Sequence, residues 1–232
     1  MNVVAILAGG IGSRISAGIP KQFIEIAGKT LIEHTLDCFE AHPEIDEIMV
    51  VSHRDFVSQL ENMRYQRLNT KWRKTVVGGA ERYLSSYAAI CACPRECTNL
   101  CIHDAARPFV SQALISRLLN GLKKYDAVVP VLPVADTLLN VENEVVTCAI
   151  PRKNVQYVQT PQCFCFSVIQ RAFAYAIKDV NCQVTDDCSV ILQYLPQVEV
   201  HTVMGDVYNK KMTYYSDIEL FNKIFKEKNK KS

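Results

Sequence analysis

Short runs of β-branched and other apolar residues alternate along this 232-residue chain with longer amphipathic runs, and no other feature limits its fold as tightly. Val3–Leu7, Glu47–Ser52, Lys74–Val77, Asn99–Ile102 and Ala127–Val131 have the length and composition of buried strands. Between them, the segments near Leu31–Phe39, Phe56–Leu68, Glu81–Ile90 and Leu114–Lys124 carry apolar residues at helical spacing. Thr30 with Glu33 makes a capping box for the first helix, and Ser216 with Glu219 makes one for the last. Such alternation predicts an α/β fold: a mostly parallel sheet covered on both faces, with right-handed crossovers. Ligands of such sheets bind beyond the carboxyl ends of the strands, so chemistry is expected in the loops after the first, third and fourth strands.

The rhythm breaks between Val134 and Thr160. Asp136–Val141 and Val145–Ile150 read as a hairpin around Glu142-Asn143-Glu144, with Tyr157–Thr160 returning. A hairpin projecting from a sheet rarely survives unpaired, which predicts that this arm packs on a second subunit. A helix over Val168–Ile177, a short helix from Thr185, a strand over Val198–Val203 and a closing helix over Ser216–Phe225 follow. The chain reads as one domain, residues 1–232, with an arm at about 134–160.

Composition removes several classes. At 49% hydrophobic with nine Gly and nine Pro, the chain is neither disordered nor fibrous. No apolar run approaches the roughly 18 residues that span a bilayer, and the apolar run at the amino end is too short for a secretory signal. Twenty-six basic against 24 acidic residues give no nucleic-acid surface, and the lysines of the tail read as solvated charge. The ten cysteines contain no CxxC pair, and they fit reduced, small hydrophobic residues of a cytoplasmic protein better than a zinc site. Any anion must therefore be bound locally.

The strongest local signal is Leu7-Ala8-Gly9-Gly10-Ile11-Gly12-Ser13-Arg14, followed by Pro20-Lys21-Gln22-Phe23. Glycines directly after a strand let backbone N–H groups approach an anion. The loop is not a dinucleotide fingerprint, because the third glycine would have to stand at Ile15. Nor is Gly28-Lys29-Thr30 a Walker A loop, whose first glycine would fall at Phe23. What remains is a glycine loop with two cations, Arg14 and Lys21, seven residues apart. Attack at the α-phosphate of a nucleoside triphosphate adds charge to the phosphoryl oxygens, which such cations stabilise.

These blocks resemble the signature of the cytidylyltransferases that act on sugar-alcohol phosphates, whose two best-known branches use methylerythritol phosphate and ribitol phosphate. The resemblance continues at Gly78-Gly79-Ala80-Glu81-Arg82, His103-Asp104-Ala105-Ala106-Arg107-Pro108, Asp136-Thr137, Gln159-Thr160-Pro161-Gln162, Thr185-Asp186-Asp187 and Asn209-Lys210-Lys211-Met212-Thr213. It implies a Rossmann-like three-layer nucleotidyltransferase fold with a protruding β-arm, CTP and a polyol phosphate as substrates, Mg²⁺, and a homodimer in which each arm reaches the other subunit's site. Arg14, Lys21, Arg152 and Lys211 would carry the reaction. CTP would lie against Leu7, Ala8, Gly9, Gly10, Gly12, Ser13, Gly78, Gly79, Arg82, Ser85, Asp104 and Ala105. The acceptor would meet Asp136, Thr137, Arg152, Thr160, Thr185 and Lys211, with Lys210 an alternative to Lys211. Asp104 is the candidate Mg²⁺ ligand. Ala80 departs from the Asp of many methylerythritol members, which removes one polar contact. Leu7-Ala8-Gly9-Gly10 and Tyr208 look closer to the ribitol branch, so D-ribitol 5-phosphate is the expected acceptor, with methylerythritol 4-phosphate the alternative. A phosphate nucleophile is already ionised near neutral pH, so no general base is required; His103 reads as a packing residue and Arg107 as a partner of Asp104.

Overall fold

The structure is a computed structural model that describes residues 1–10 and 20–229. Its elements are β1 (Asn2–Ala8), a small hairpin of β2 (Glu25–Ile26) and β3 (Lys29–Thr30), α1 (Leu31–Glu40), β4 (Glu47–Ser52), α2 (Val57–Gln66), β5 (Trp72–Val77) and α3 (Arg82–Ala92). Then come β6 (Asn99–Asp104), α4 (Gln112–Leu122), β7 (Ala127–Pro133), β8 (Leu138–Glu142), β9 (Val145–Ile150), β10 (Gln156–Val158) and β11 (Gln162–Cys165). The chain closes with α5 (Phe166–Ala176), α6 (Asp187–Tyr194), β12 (Val200–Met204) and α7 (Asp217–Asn229). The expected strands and helices are present, with ends moved by a few residues.

Strands β5, β4, β1 and β6 lie side by side and parallel, and β12 pairs parallel with β7. One departure from the expected sheet is β11, which runs antiparallel between β6 and β7. The chain leaves β7 at its carboxyl end and returns from the arm at that same end, so the next strand can only run the other way. β10 begins this return. It pairs antiparallel with the last residues of β7, so Tyr157 and Val158 belong to the main sheet and not to the hairpin.

Both faces of the sheet are apolar, as continuous apolar strands require. Val4, Ile6 and Ala8 of β1 pack with α1, α2 and α4 through Leu36, Leu60 and Leu118. Val3, Ala5 and Leu7 face α3, α5 and α6 through Ile90, Phe173 and Val190. A third cluster, Ile26, Leu31, Phe109, Met212, Phe221 and Ile224, clamps α7 and the segment before it onto the body. The box at α1 forms as predicted: Thr30 Oγ1 accepts from Glu33 N while Glu33 Oε2 accepts from Thr30 N. Around the start of α7 the hydrogen bonds centre on Asp217, whose carboxylate accepts from Thr213 N and Tyr214 N.

The arm is a two-stranded sheet separate from the body, β8 against β9, turning at Asn143 and Glu144 with φ of 49° and 66°. Two successive left-handed residues match the twist of a tight hairpin. Its apolar side chains lie in solvent: Val141 is 54% and Val145 64% exposed.

Candidate active site

The carboxyl ends of β1, β5 and β6 open onto one cavity of about 400 Å³. Leu7, Ala8, Gly9 and Gly10 form one wall, Gly79–Arg82 with Ser85 a second, and Asp104–Ala106 a third. Lys21, Gln22, Lys211 and Thr213 complete the described rim. These are the three loops in which the alternation placed the chemistry. Gly12, Ser13 and Arg14 lie outside the described residues.

Local folding fixes each wall. Gly79 packs so tightly on α3 that a Cβ there would stand 2.2 Å from the Leu84 Cβ. A Cβ at Gly78 would stand 2.7 Å from Ser85 Oγ. Ser85 pins this turn, accepting from Gly79 N at 3.2 Å. Gly78 itself does not line the cavity; its N–H donates to Ser52 O, continuing the sheet edge. At Gly9 a Cβ would make an ordinary 3.5 Å contact, so internal packing does not demand glycine there, and its bare backbone lies open on the cavity.

Charge converges on Asp104, at the end of β6. Its Oδ2 lies 2.9 Å from Lys211 Nζ and 3.6 Å from Arg107 Nε, and its Oδ1 lies 3.3 Å from Arg82 Nε. Burial alone would raise its pKa, but Arg82, Lys211 and Arg107 together hold it well below the ordinary carboxylate range. Arg107 also donates to Asn209 O at 2.9 Å, which holds this half-buried side chain beside Asp104 as the partner read from the sequence. Lys211 lines the cavity because Met212 beside it is wholly buried; Lys210 is exposed and lines no part of it. Lys21 reaches the same strand of chain, donating to Thr213 O at 3.4 Å.

His103 is 0% exposed and packs edge-on to Phe39. Its Nε2 lies 3.0 Å from Arg107 O, which can only accept, so Nε2 carries the proton and Nδ1 accepts from the Thr160 hydroxyl at 3.0 Å. Thr160 Oγ1 in turn accepts from Asp104 N at 3.1 Å. Burial pushes the imidazole down to about 4, so it is neutral near pH 7. The resemblance implied Thr160 among the acceptor's ligands; its hydroxyl is buried and engaged on both sides, where it fixes the end of β6.

Asp136, Thr137 and Arg152 sit on the exposed arm, outside the cavity of their own chain, with Arg152 Nη1 donating to Ala135 O. Thr185 is exposed before α6, its N–H donating to Ser189 Oγ at 3.2 Å. The sequence reading gave no role to Asp187, which is fully buried with Oδ2 2.8 Å from Arg82 Nη1. The signal was two adjacent acids at a helix start: Asp186 caps α6, leaving the next acid to turn inward. Among the described residues no group of three or more His, Cys, Asp or Glu side chains gathers. A divalent cation here could draw on the Asp104 carboxylate, with Glu81 also on the cavity lining and phosphate and water oxygens completing its shell, a donor set that suits Mg²⁺ on a nucleotide. No described helix is long and apolar enough to cross a membrane.

Residues 2–227 match the family described as IspD, 2-C-methyl-D-erythritol 4-phosphate cytidylyltransferase. The chain is 38% identical over 231 residues to the Haemophilus influenzae bifunctional ribulose 5-phosphate reductase/CDP-ribitol pyrophosphorylase Bcs1, covering 98% of this chain and 48% of that protein. It therefore spans about half the length of that bifunctional relative. It is also 38% identical over 221 residues to the 2-C-methyl-D-erythritol 4-phosphate cytidylyltransferase of Thermobifida fusca, covering 92% and 89% of the two chains. The crystal structure of the 4-diphosphocytidyl-2C-methyl-D-erythritol synthase of Anaerococcus prevotii superposes with a TM-score of 0.86 at 27% identity, covering 97% of this chain and 96% of that one.

Proposed function

Because this chain belongs to the 2-C-methyl-D-erythritol 4-phosphate cytidylyltransferase family, we propose that it transfers CMP from CTP to D-ribitol 5-phosphate, releasing pyrophosphate and CDP-ribitol. Cytidylyl transfer from CTP to a phosphorylated sugar alcohol is the activity of the family; the acceptor is our own reading. An acceptor phosphate oxygen forms the new bond to the α-phosphorus as the α–β bridging bond breaks, and the electron pair leaves with pyrophosphate. The nucleophile is an anion before it arrives. No side chain has to remove a proton, and the neutral, buried His103 is not placed to do so.

The observation that carries this reading is the cavity itself, which Lys21, Lys211 and the glycines Gly9, Gly10 and Gly79 line together with Asp104, the partner of Lys211. Lys21, with Arg14, neutralises charge that grows on the α-phosphoryl oxygens in the transition state. Gly79, Arg82 and Ser85 hold cytosine and ribose, with Gly78 setting the turn behind them, and Leu7–Gly10, Gly12 and Ser13 bind the phosphates. Lys211 and Arg152 aim the acceptor phosphate, with Asp136, Thr137 and Thr185 at its hydroxyls and Thr160 acting through the Asp104 backbone. Mg²⁺, held by Asp104 and phosphate oxygens, would polarise the phosphoryl group.

Arg152 serves the site of a partner subunit in a homodimer. What supports this is the exposed, apolar arm, which has no covering in its own chain among the described residues. Ribitol 5-phosphate is favoured by the Leu7-Ala8-Gly9-Gly10 loop, by Tyr208 and by the kinship with the CDP-ribitol pyrophosphorylase. Methylerythritol 4-phosphate is the second reading, favoured by the family description and by the Thermobifida relative. Pyrophosphate release with CTP, measured against ribitol 5-phosphate, methylerythritol 4-phosphate and glycerol phosphate, decides between them. A kcat/KM higher for methylerythritol 4-phosphate overturns the ribitol assignment, and preference for UTP over CTP overturns the cytidylyl one.

A further inference from the structure

Asp187 is the first residue of α6 and has no solvent exposure. Its neighbour Asp186 accounts for the helix cap, accepting from Ser189 N at 2.9 Å. A carboxylate taken wholly out of water needs a cation, and the cation here is Arg82, Nη1 to Oδ2 2.8 Å. The same guanidinium places Nε 3.3 Å from Asp104 Oδ1, and Asp104 Oδ2 lies 2.9 Å from Lys211 Nζ. Four side chains from α6, α3, β6 and the segment before α7 thus alternate in sign, from buried Asp187 out to Arg82, Asp104 and Lys211, which line the cavity.

We propose that Asp187 is a positioning residue: by holding Arg82 it leaves Asp104 able to hold Lys211 in the cavity. The role of Lys211 in this proposal rests on the cytidylyltransferase reading. Among the described residues, Asp104 and Asp187 pair here with three cations, Arg82, Arg107 and Lys211. Neutralising Asp187 raises the local charge by one and turns Arg82 wholly onto Asp104. Lys211 is the cation that yields, because its side chain is 44% exposed whereas those of Arg82 and Arg107 are 27% and 13% exposed. Its ammonium can return to water at least cost.

The isosteric Asp187→Asn variant tests this with two readouts. Acetic anhydride labelling, followed by mass spectrometry of the Lys211 peptide, should run at least threefold faster than in the wild-type chain, with Lys210 unchanged. In pyrophosphate release, kcat/KM for the acceptor should fall about tenfold, and by at least threefold more than kcat/KM for CTP, because Arg82 stays beside Asp104 whereas Lys211 leaves it. Unchanged Lys211 labelling overturns the proposal, as does faster labelling with unaltered acceptor kinetics. A lowered melting temperature with equal losses for CTP and acceptor marks a merely structural residue and also overturns it. A wild-type chain that turns over no polyol phosphate, while Lys211 labelling still responds to Asp187→Asn, refutes the function and leaves the side-chain relay standing.

Discussion

Acid should weaken this fold through His103 before it weakens it through any carboxylate in the site. The imidazole is fully buried, its pKa pressed from 6.5 to about 4 by lost hydration, with the Asp104 charge opposing and the Arg107 charge adding to the shift. Protonation would also put a hydrogen on Nδ1, which now accepts from Thr160. The unfolded chain takes up this proton near pH 6.5 and the folded chain only near pH 4, so stability is complete above 6.5 and falls as pH is lowered. At 1.36 kcal/mol per pH unit of separation, the loss is about 2 kcal/mol by pH 5 and approaches roughly 3 kcal/mol by pH 4. In a chain of this length about 2 kcal/mol moves the melting temperature by about 4–8 °C. Other groups titrate as well, including His42, also lowered by burial. The comparison is therefore between wild type and His103→Gln, by urea unfolding at pH 7, 6 and 5. The wild-type advantage should shrink by about 2 kcal/mol between pH 7 and 5. An advantage constant to within about 0.5 kcal/mol across that range would falsify the account of His103 as a buried neutral acceptor.

Lys21→Ala should lower turnover by about 10²–10³ with the fold retained, since it removes a transition-state contact; near-normal kcat would take Lys21 out of the mechanism. Arg152→Ala should raise KM for the acceptor and leave CTP affinity nearly unchanged. Mixing it with Lys21→Ala protein under subunit exchange should restore activity, because one site of the mixed dimer receives both intact residues; no recovery in verified mixed dimers means that each site is built from one chain. Gly79→Ala, whose Cβ would meet the Leu84 Cβ at 2.2 Å, should destabilise by about 1–3 kcal/mol in denaturant unfolding, and an unaltered midpoint would show that the turn relaxes freely.

Periodicity and caps are local properties, and they were enough to place β1, β4–β7, α1 and the loops that line the cavity. The glycine loop and Lys21 stood out in the chain because glycine spacing and a nearby cation are written in order, whereas Lys211 was implied by the family resemblance. Pairing partners are not. That β11 enters the sheet between β6 and β7, and that Tyr157 and Val158 belong to the sheet edge, depends on which end of β7 the returning chain meets. The family register favoured Lys211 over Lys210, and folding places Lys211 alone of the two on the cavity, beside Met212 buried with Phe109 and Phe221. Thr160 looked like a ligand by its motif; folding instead set its hydroxyl between Asp104 N and His103, 57 positions away. Asp187 carried no signal strong enough to separate it from Asp186, because buried charge acquires its meaning from a partner that sequence leaves more than 100 residues distant. The residue types of the site are set by chemistry legible along the chain. Which of them meet is set by packing, and only the closed core brings α3, β6 and α6 near enough for Arg82 to hold two carboxylates at once.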